Sequence, residues 1–195
     1  MIKKSEIQGV ILAGGKSKRM GNNKALLTLN GKFFINYCIE KLKRIFDDVI
    51  IISDEIDKFS FLGIRIFPDL IKNVGPLGGI YTALMNLEKD YAFIVSCDMP
   101  LFPVQAVEEI IKYSSKNKIT IGFSEKDVYP LFGIYPKKFK KDLENYILND
   151  ERKVMKFIED FKKVKKVDLS KFKEYLINVN TPSDYELIKN KYDFN

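Results

Sequence analysis

Apolar positions along the chain fall into short unbroken runs, which alternate with segments where apolar residues recur every three or four positions. Ile7–Leu12 is one such run, ended by glycines, and it reads as a buried strand. Residues 33–46 place Phe34, Tyr37, Cys38, Leu42 and Ile45 at helical spacing with polar residues between them. Residues 48–53 read as a second buried strand, and residues 63–67 as a third, stopped by Pro68. Residues 77–87 look helical, and Tyr91–Ser96 is a further apolar strand leading into Cys97-Asp98. Pro103 suits the start of a helix over residues 104–113. Residues 118–123 and 128–135 are weaker strands, and residues 137–148 and 154–161 carry helical spacing.

Strands that alternate with helices, most of them strongly apolar, predict an α/β fold: a Rossmann-like, largely parallel, mixed central sheet flanked by helices. No internal repeat and no linker rich in Pro, Gly or Ser interrupts it, so residues 1–195 are expected to form one domain. Ligands of such sheets bind at the carboxyl ends of the strands. Two of those ends are Leu12-Ala13-Gly14 and Cys97-Asp98.

Composition narrows the chemistry. Apolar residues make up 46% of 195 positions, with 15 Phe and 10 Tyr, which supplies a substantial core. No apolar run approaches the ~20 residues that cross a bilayer, and the first residues show no signal-peptide pattern, so a cytoplasmic protein with no membrane partner is expected. Cys38 and Cys97 are too few for a disulfide framework and read as reduced, buried thiols. Histidine is absent. That excludes a Ser-His-Asp triad, a Cys-His pair and a His-ligated metal. A metal would be held by oxygen atoms, which points to Mg²⁺ or Mn²⁺. The formal charge of +7 owes much to the late run Lys162-Lys163-Val164-Lys165-Lys166, which reads as a solvated face. No nucleic-acid-binding motif accompanies it, so no nucleic-acid partner is expected.

The stretch from Leu12 to Lys24, "LAGGKSKRMGNNK", contains Gly15-Lys16-Ser17, the ending of a phosphate-binding P-loop. The spacing fails, because position 10 is Val where the first glycine belongs. The dinucleotide pattern Gly-x-Gly-x-x-Gly fails too, since the glycines stand at 14, 15 and 21. Glycines still let backbone N–H groups turn toward an anion, and Lys16, Lys18, Arg19 and Lys24 supply positive charge. Taken alone, the stretch suits phosphate binding or a solvated basic loop equally well.

Together with motifs spaced along the rest of the chain, it resembles the nucleotidyltransferases typified by the molybdenum cofactor guanylyltransferase, the MobA-like proteins. The residues that carry the resemblance are Leu12-Ala-Gly-Gly, Arg19-Met-Gly, Lys24-Ala-Leu-Leu and Asn30-Gly31, then Pro68-Asp69, Gly75-Pro-Leu-Gly-Gly-Ile80 and Ser96-Cys-Asp-Met-Pro-Leu101. Tyr129-Pro-Leu, Glu151-Arg-Lys-Val-Met155 and Asn178-Val-Asn-Thr-Pro-Ser-Asp184 come next, in the family's order.

The resemblance implies transfer of GMP from GTP to the terminal phosphate of molybdopterin, with release of pyrophosphate. CTP with molybdopterin, or a nucleotide with a sugar or alditol phosphate, is the alternative within the same fold. It implies that Asp98 holds Mg²⁺, where the bare sequence also allows a turn aspartate before Pro100. Arg19 and Lys24 would contact phosphates, while Lys16 and Lys18 fall outside the signature. Leu12, Ala13, Gly14 and Gly15 would meet the nucleotide through their backbone. Gly14 stands where cytidylyltransferase relatives commonly carry Ala, so it leaves more room for a purine. Asp69 matches a nucleotide-contacting aspartate. Ser53 falls near a base contact that is often Asn, a departure from the pattern. Asn178 and Asn180 match the family's Asn-x-Asn and would face the pterin substrate or the metal region, and Arg152 would bind the substrate phosphate. Gly75, Gly78 and Gly79 suit either a close approach of the nucleotide or a tight turn into a helix. Transient contact with proteins that carry or accept the molybdenum cofactor is a further implication. Thr181, Pro182 and Asp184 read as N-cap, N1 and N3 of a last helix.

Overall fold

Strand β1 (Ile7–Leu12) is buried at all six positions. Its even residues Val10 and Leu12 join one apolar cluster, and its odd residues Ile7 and Ile11 join another. A strand with a core on each side cannot show polar alternation, which is why it reads as a continuous apolar run. The computed structural model describes residues 1–14, 24–149 and 151–192.

A short hairpin follows, β2 (Thr28–Leu29) and β3 (Lys32–Phe33), then helix α1 (Phe34–Lys43), β4 (Val49–Ile52) and the single-turn helix α2 (Ile56–Phe59). Next come β5 (Ile66–Phe67), α3 (Pro76–Asn86), β6 (Tyr91–Ser96) and α4 (Val104–Lys112). The second half holds β7 (Ile119–Ser124), β8 (Asp127–Pro136), α5 (Lys140–Leu148), α6 (Val154–Asp160), β9 (Val164–Asp168) and α7 (Pro182–Tyr192). The main sheet has the order β5-β4-β1-β6-β8-β7-β9. Its first four strands are parallel, β8 runs antiparallel to β6 and β7, and β9 is parallel to β7. One core lies between the sheet and α1 with α4, the other between the sheet and α3, α5 and α6. The expected mixed, mostly parallel sheet between helices is the observed one.

The four parallel strands end level with one another. Leu12 is in register with both Ile52 and Ser96, and Ile52 with Phe67. The second residue beyond each of these ends is Gly14, Asp54, Asp69 or Asp98. Register therefore places a glycine and three carboxylates along one edge.

Several elements differ from the expectation. β5 is only two residues long, because Gly63 takes a left-handed φ of 61° at the end of a short 3-10 turn. The lysine run expected as a solvated face is largely strand β9, an edge strand paired along β7. Val167 points into the core, while the lysines protect the edge from further pairing. The hairpin and α2 are too short to carry a periodic signal. Cys38 and Cys97 are free and buried, and burial pushes the Cys38 thiol up to about 12. Such thiols are unreactive.

Candidate functional site

The strand edge is fixed before any side chain is considered. Ala13 donates its N–H to the Ile52 carbonyl at 2.9 Å, and the Leu12 carbonyl accepts from Cys97 N–H at 3.0 Å. Leu12, Ala13 and Gly14 thus leave the sheet on a path held from both sides. Gly15 and Arg19 lie outside the described residues, as do Lys16 and Lys18.

Asp98 is the third residue of a tight turn in which Met99 N–H donates to the Ser96 carbonyl at 3.2 Å. The Asp98 carbonyl accepts from Val179 N–H at 2.8 Å, so the segment before α7 is docked on it. That dock sets Asn180 beside the turn. Lys24 Nζ donates to Asn180 Oδ1 and lies 3.6 Å from Asp98 Oδ2. The Lys24 and Asp98 side chains are only 17% and 18% exposed. Asp98 Oδ1 is buried and has no hydrogen-bond partner among the described residues. A carboxylate oxygen in that position is ready to accept a cation or a donor.

Asn180 is held from behind by a cap. Asp184 Oδ2 accepts the N–H groups of Asn180 and Thr181 at 2.9 and 2.8 Å, and Asp184 N–H donates to Thr181 Oγ1 at 3.2 Å. The capping reading of Thr181, Pro182 and Asp184 thus takes on a second consequence, the orientation of Asn180. Asn178 is exposed and borders a cavity of about 330 Å³ with Asp127, Tyr129 and Lys173.

Asp69 forms a second focus. Its N–H donates to Asp54 Oδ1 at 2.9 Å, and Leu70 N–H donates to Thr82 Oγ1 at 2.9 Å. These bonds turn the chain after Pro68 over the sheet edge. A side chain added at Gly14 would lie 3.8 Å from Asp69 Oδ2, and one at Gly79 would lie 3.8 Å from Asp69 Oδ1. The carboxylate therefore borders a gap that two glycines keep clear. Asp69 Oδ1, too, is buried without a partner among the described residues. Burial, followed by the charge of Asp54, raises the Asp69 pKa above its ordinary value. Lys72 pairs with Asp54, and that hydrogen bond lowers the Asp54 pKa. Asp54, Lys72, Thr82 and the link from Asp184 to Asn180 were not singled out in the sequence. Asp54 alone had a visible signal there, as the residue immediately after the expected strand of residues 48–53.

The glycines at α3 separate into two roles. Gly75 has φ 64° at the N-cap, before Pro76 at N1. A Cβ at Gly78 would fall 2.6 Å from Val74 Cγ2 and 2.9 Å from the Ile71 carbonyl. Both serve the tight turn into the helix, whereas Gly79 faces Leu12 and Asp69.

Two of the expected site residues are engaged by the surrounding backbone. Ser53 is fully buried; its hydroxyl donates to the Ala13 carbonyl at 3.2 Å and accepts from Glu55 N–H at 3.1 Å. The side chain holds the Ala13 backbone and is not turned to an open space. Arg152 donates to the Asn73 carbonyl at 3.5 Å, so it reaches the loop before α3.

Among the described residues no group of three or more His, Cys, Asp or Glu converges as a metal cage. A cation here would rest on one carboxylate and complete its shell from a substrate, the usual habit of Mg²⁺ with phosphates.

A level row of parallel strand ends, with carboxylates and a glycine turn just beyond it, defines an α/β protein built to handle a nucleotide at its carboxyl edge. The family is more particular. Residues 9–167 match the MobA-like NTP transferase domain, and the chain belongs to that family of nucleotidyltransferases. A protein of Clostridium perfringens strain 13 named "Probable molybdenum cofactor guanylyltransferase" is 36% identical, over 98% of this chain and 99% of its own. The molybdenum cofactor guanylyltransferase of Yersinia pestis (strain Pestoides F) is 31% identical over 95% and 96%. The solved molybdopterin-guanine dinucleotide biosynthesis protein A of Archaeoglobus fulgidus shares the fold, with a TM-score of 0.80, 23% identity and coverage of 96% and 100%.

Proposed function

We propose that the chain transfers GMP from GTP to the terminal phosphate of molybdopterin, releasing pyrophosphate. The observation that carries this reading is the meeting of Lys24, Asp98 and Asn180, which come from three separate segments. The relatives' names support the substrate pair, and residues 1–195 are read as one transferase domain.

The attacking group is a phosphate, ionised at neutral pH because its second pKa is about 6. No strong general base is needed, which suits a chain without histidine. What the protein must do is align two polyanions in line and balance the charge that develops on the leaving pyrophosphate. Leu12, Ala13 and Gly14 offer backbone groups to the nucleotide along the strand edge. Ser53 acts through the Ala13 carbonyl that it holds. Asp69, above the gap left by Gly14 and Gly79, accepts a hydrogen bond from the nucleoside. Lys24 moves from Asp98 to the phosphates when they arrive. Gly15 and Arg19 are assigned the backbone and phosphate contacts of the family pattern. Asn180 and Asn178 face the pterin substrate, and Arg152 is assigned to its phosphate from the Asn73 loop.

The buried Asp98 Oδ1, without a hydrogen-bond partner among the described residues, fits Mg²⁺, or Mn²⁺ in its place. When bound, that ion supplies charge neutralisation for the triphosphate. Among the described residues no helix is long and apolar enough to cross a membrane. We place the reaction in the cytoplasm, with transient contact to proteins that deliver or receive the cofactor.

The test is a panel of GTP, CTP, ATP and UTP, each offered with molybdopterin and Mg²⁺ while pyrophosphate is followed. Release with GTP alone is expected. Release with CTP and none with GTP would replace the guanylyl reading by the cytidylyl one.

A further inference from the structure

Helix α1 carries a half-buried lysine that the transfer chemistry above does not use. Lys41 Nζ donates to the Pro100 carbonyl at 2.6 Å. It also lies 5.1 Å from the ring centre of fully buried Phe102 and 5.9 Å from that of Tyr37. Burial draws its pKa down to about 8. Taking an ammonium out of water carries a desolvation penalty, and an aliphatic side chain would fill the same space without it. Packing alone does not account for a charge here. The charge adds a grip on one carbonyl.

That carbonyl belongs to the turn of Asp98. Pro100 is two residues further on, and it has no N–H by which the turn could be held. The rest of the turn is fixed by Met99 N–H on Ser96 and by Val179 N–H on Asp98. On the same helix, one turn earlier, the Tyr37 hydroxyl donates to the Leu29 carbonyl at 2.8 Å, in the hairpin that follows Lys24. One face of α1 thus holds both the segment after Asp98 and the segment after Lys24. We propose that Lys41 is a positioning residue for the transfer reaction: by holding the Pro100 carbonyl it fixes the turn that aims the Asp98 carboxylate. The inference rests on the reading of Asp98 as the metal-binding carboxylate. A sequence signal existed, since position 41 lies three and four residues from Cys38 and Tyr37, on the stripe that α1 turns inward.

The experiment compares Lys41→Met and Lys41→Arg with the unaltered protein. It reads Mn²⁺ affinity of the substrate-free protein by electron paramagnetic resonance, kcat and KM for GTP, and the melting midpoint. Lys41→Met is expected to lose about 10- to 100-fold in Mn²⁺ affinity and in kcat, as groups that orient a metal ligand do. KM for GTP should hold near its original value and the midpoint should stay level or rise, and Lys41→Arg should recover most of the loss in Mn²⁺ affinity and kcat because it keeps a donor. Unchanged Mn²⁺ affinity and kcat in Lys41→Met would overturn the proposal. So would an Arg variant no better than Met at an unchanged midpoint, or a loss spread equally over KM and stability. Asp98→Ala separates the two readings. If it still binds Mn²⁺ as before, the reading of Asp98 fails. If it loses Mn²⁺ while Lys41→Met does not, only the role of Lys41 fails.

Discussion

Lys24 Nζ lies 3.6 Å from Asp98 Oδ2, so the carboxylate assigned to a metal is already answered by a cation of the protein. In the proposed reaction Lys24 has two destinations, Asp98 and the nucleotide phosphates. Lys24→Met should act in opposite directions on two measurements. Turnover with GTP should fall by roughly 10²–10³, the usual loss of one charge-stabilising donor. Mn²⁺ affinity of the nucleotide-free protein should rise, because a like charge no longer competes for Asp98. Mn²⁺ titration with and without GTP checks this, and a fall in nucleotide-free affinity would contradict it.

Gly14 borders the gap beneath Asp69. A Cβ there would stand at ordinary contact distance, 3.8 Å from Asp69 Oδ2. Gly14→Ala should therefore fold, and its methyl should take space from the base. The expected result is a fall of about tenfold in kcat/KM for GTP, the scale of one methyl group in a pocket, with a smaller change for CTP. Equal losses for both nucleotides would remove Gly14 from base selection.

The parts of this picture differ in how far the sequence showed them. β1 and β6 were legible to the residue, because strands buried on both faces leave continuous apolar runs between clear breaks. The lysines of β9 concealed an edge strand, since protective charge on a strand looks like a solvated loop. Lys24, Asp98 and Asn180 could be matched one by one to a family pattern. Their meeting could not be seen, as Lys24 and Asn180 are 156 positions apart and come together through tertiary contacts, among them Val179 N–H docked on the Asp98 carbonyl. Ser53 shows the opposite limit. The family pattern suggested a base contact near it, whereas burial turns its hydroxyl back to Ala13.

Burial and the neighbouring Asp54 hold the Asp69 carboxyl above its ordinary value. An ionised Asp69 therefore weakens the folded state. The penalty is absent below the unfolded carboxylate value of about 3.9, grows as the pH climbs to the raised folded value, and is complete above it. Asp69→Asn should melt above the unaltered protein at pH 7, and the two midpoints should converge as the pH is lowered toward about 4. Turnover with GTP should fall at the same time, marking a carboxylate kept for function at a cost in stability. A variant that melts lower at pH 7 would contradict the sign of the shift.

The sheet has its own sensitive point. A Cβ at Gly133 in β8 would lie 2.3 Å from the Thr120 carbonyl oxygen and 2.8 Å from Ile121 Cα, beside the register shift between β7 and β8. Backbone atoms cannot move aside as a side-chain tip can. Gly133→Ala should lose at least about 3 kcal/mol, roughly 6–12 °C in melting midpoint for a chain of this size. Differential scanning calorimetry reads it directly, and a shift under about 2 °C would show that the strands can part at no great cost.

The proposed guanylyl transfer takes place where Asp98, Lys24 and Asn180 meet. The most direct measurement is the initial rate of pyrophosphate release from GTP and molybdopterin by Asp98→Ala, in protein whose circular dichroism and melting midpoint match the original. A fall of at least about 10³-fold is expected. A rate within about tenfold of the unaltered protein would place the chemistry elsewhere.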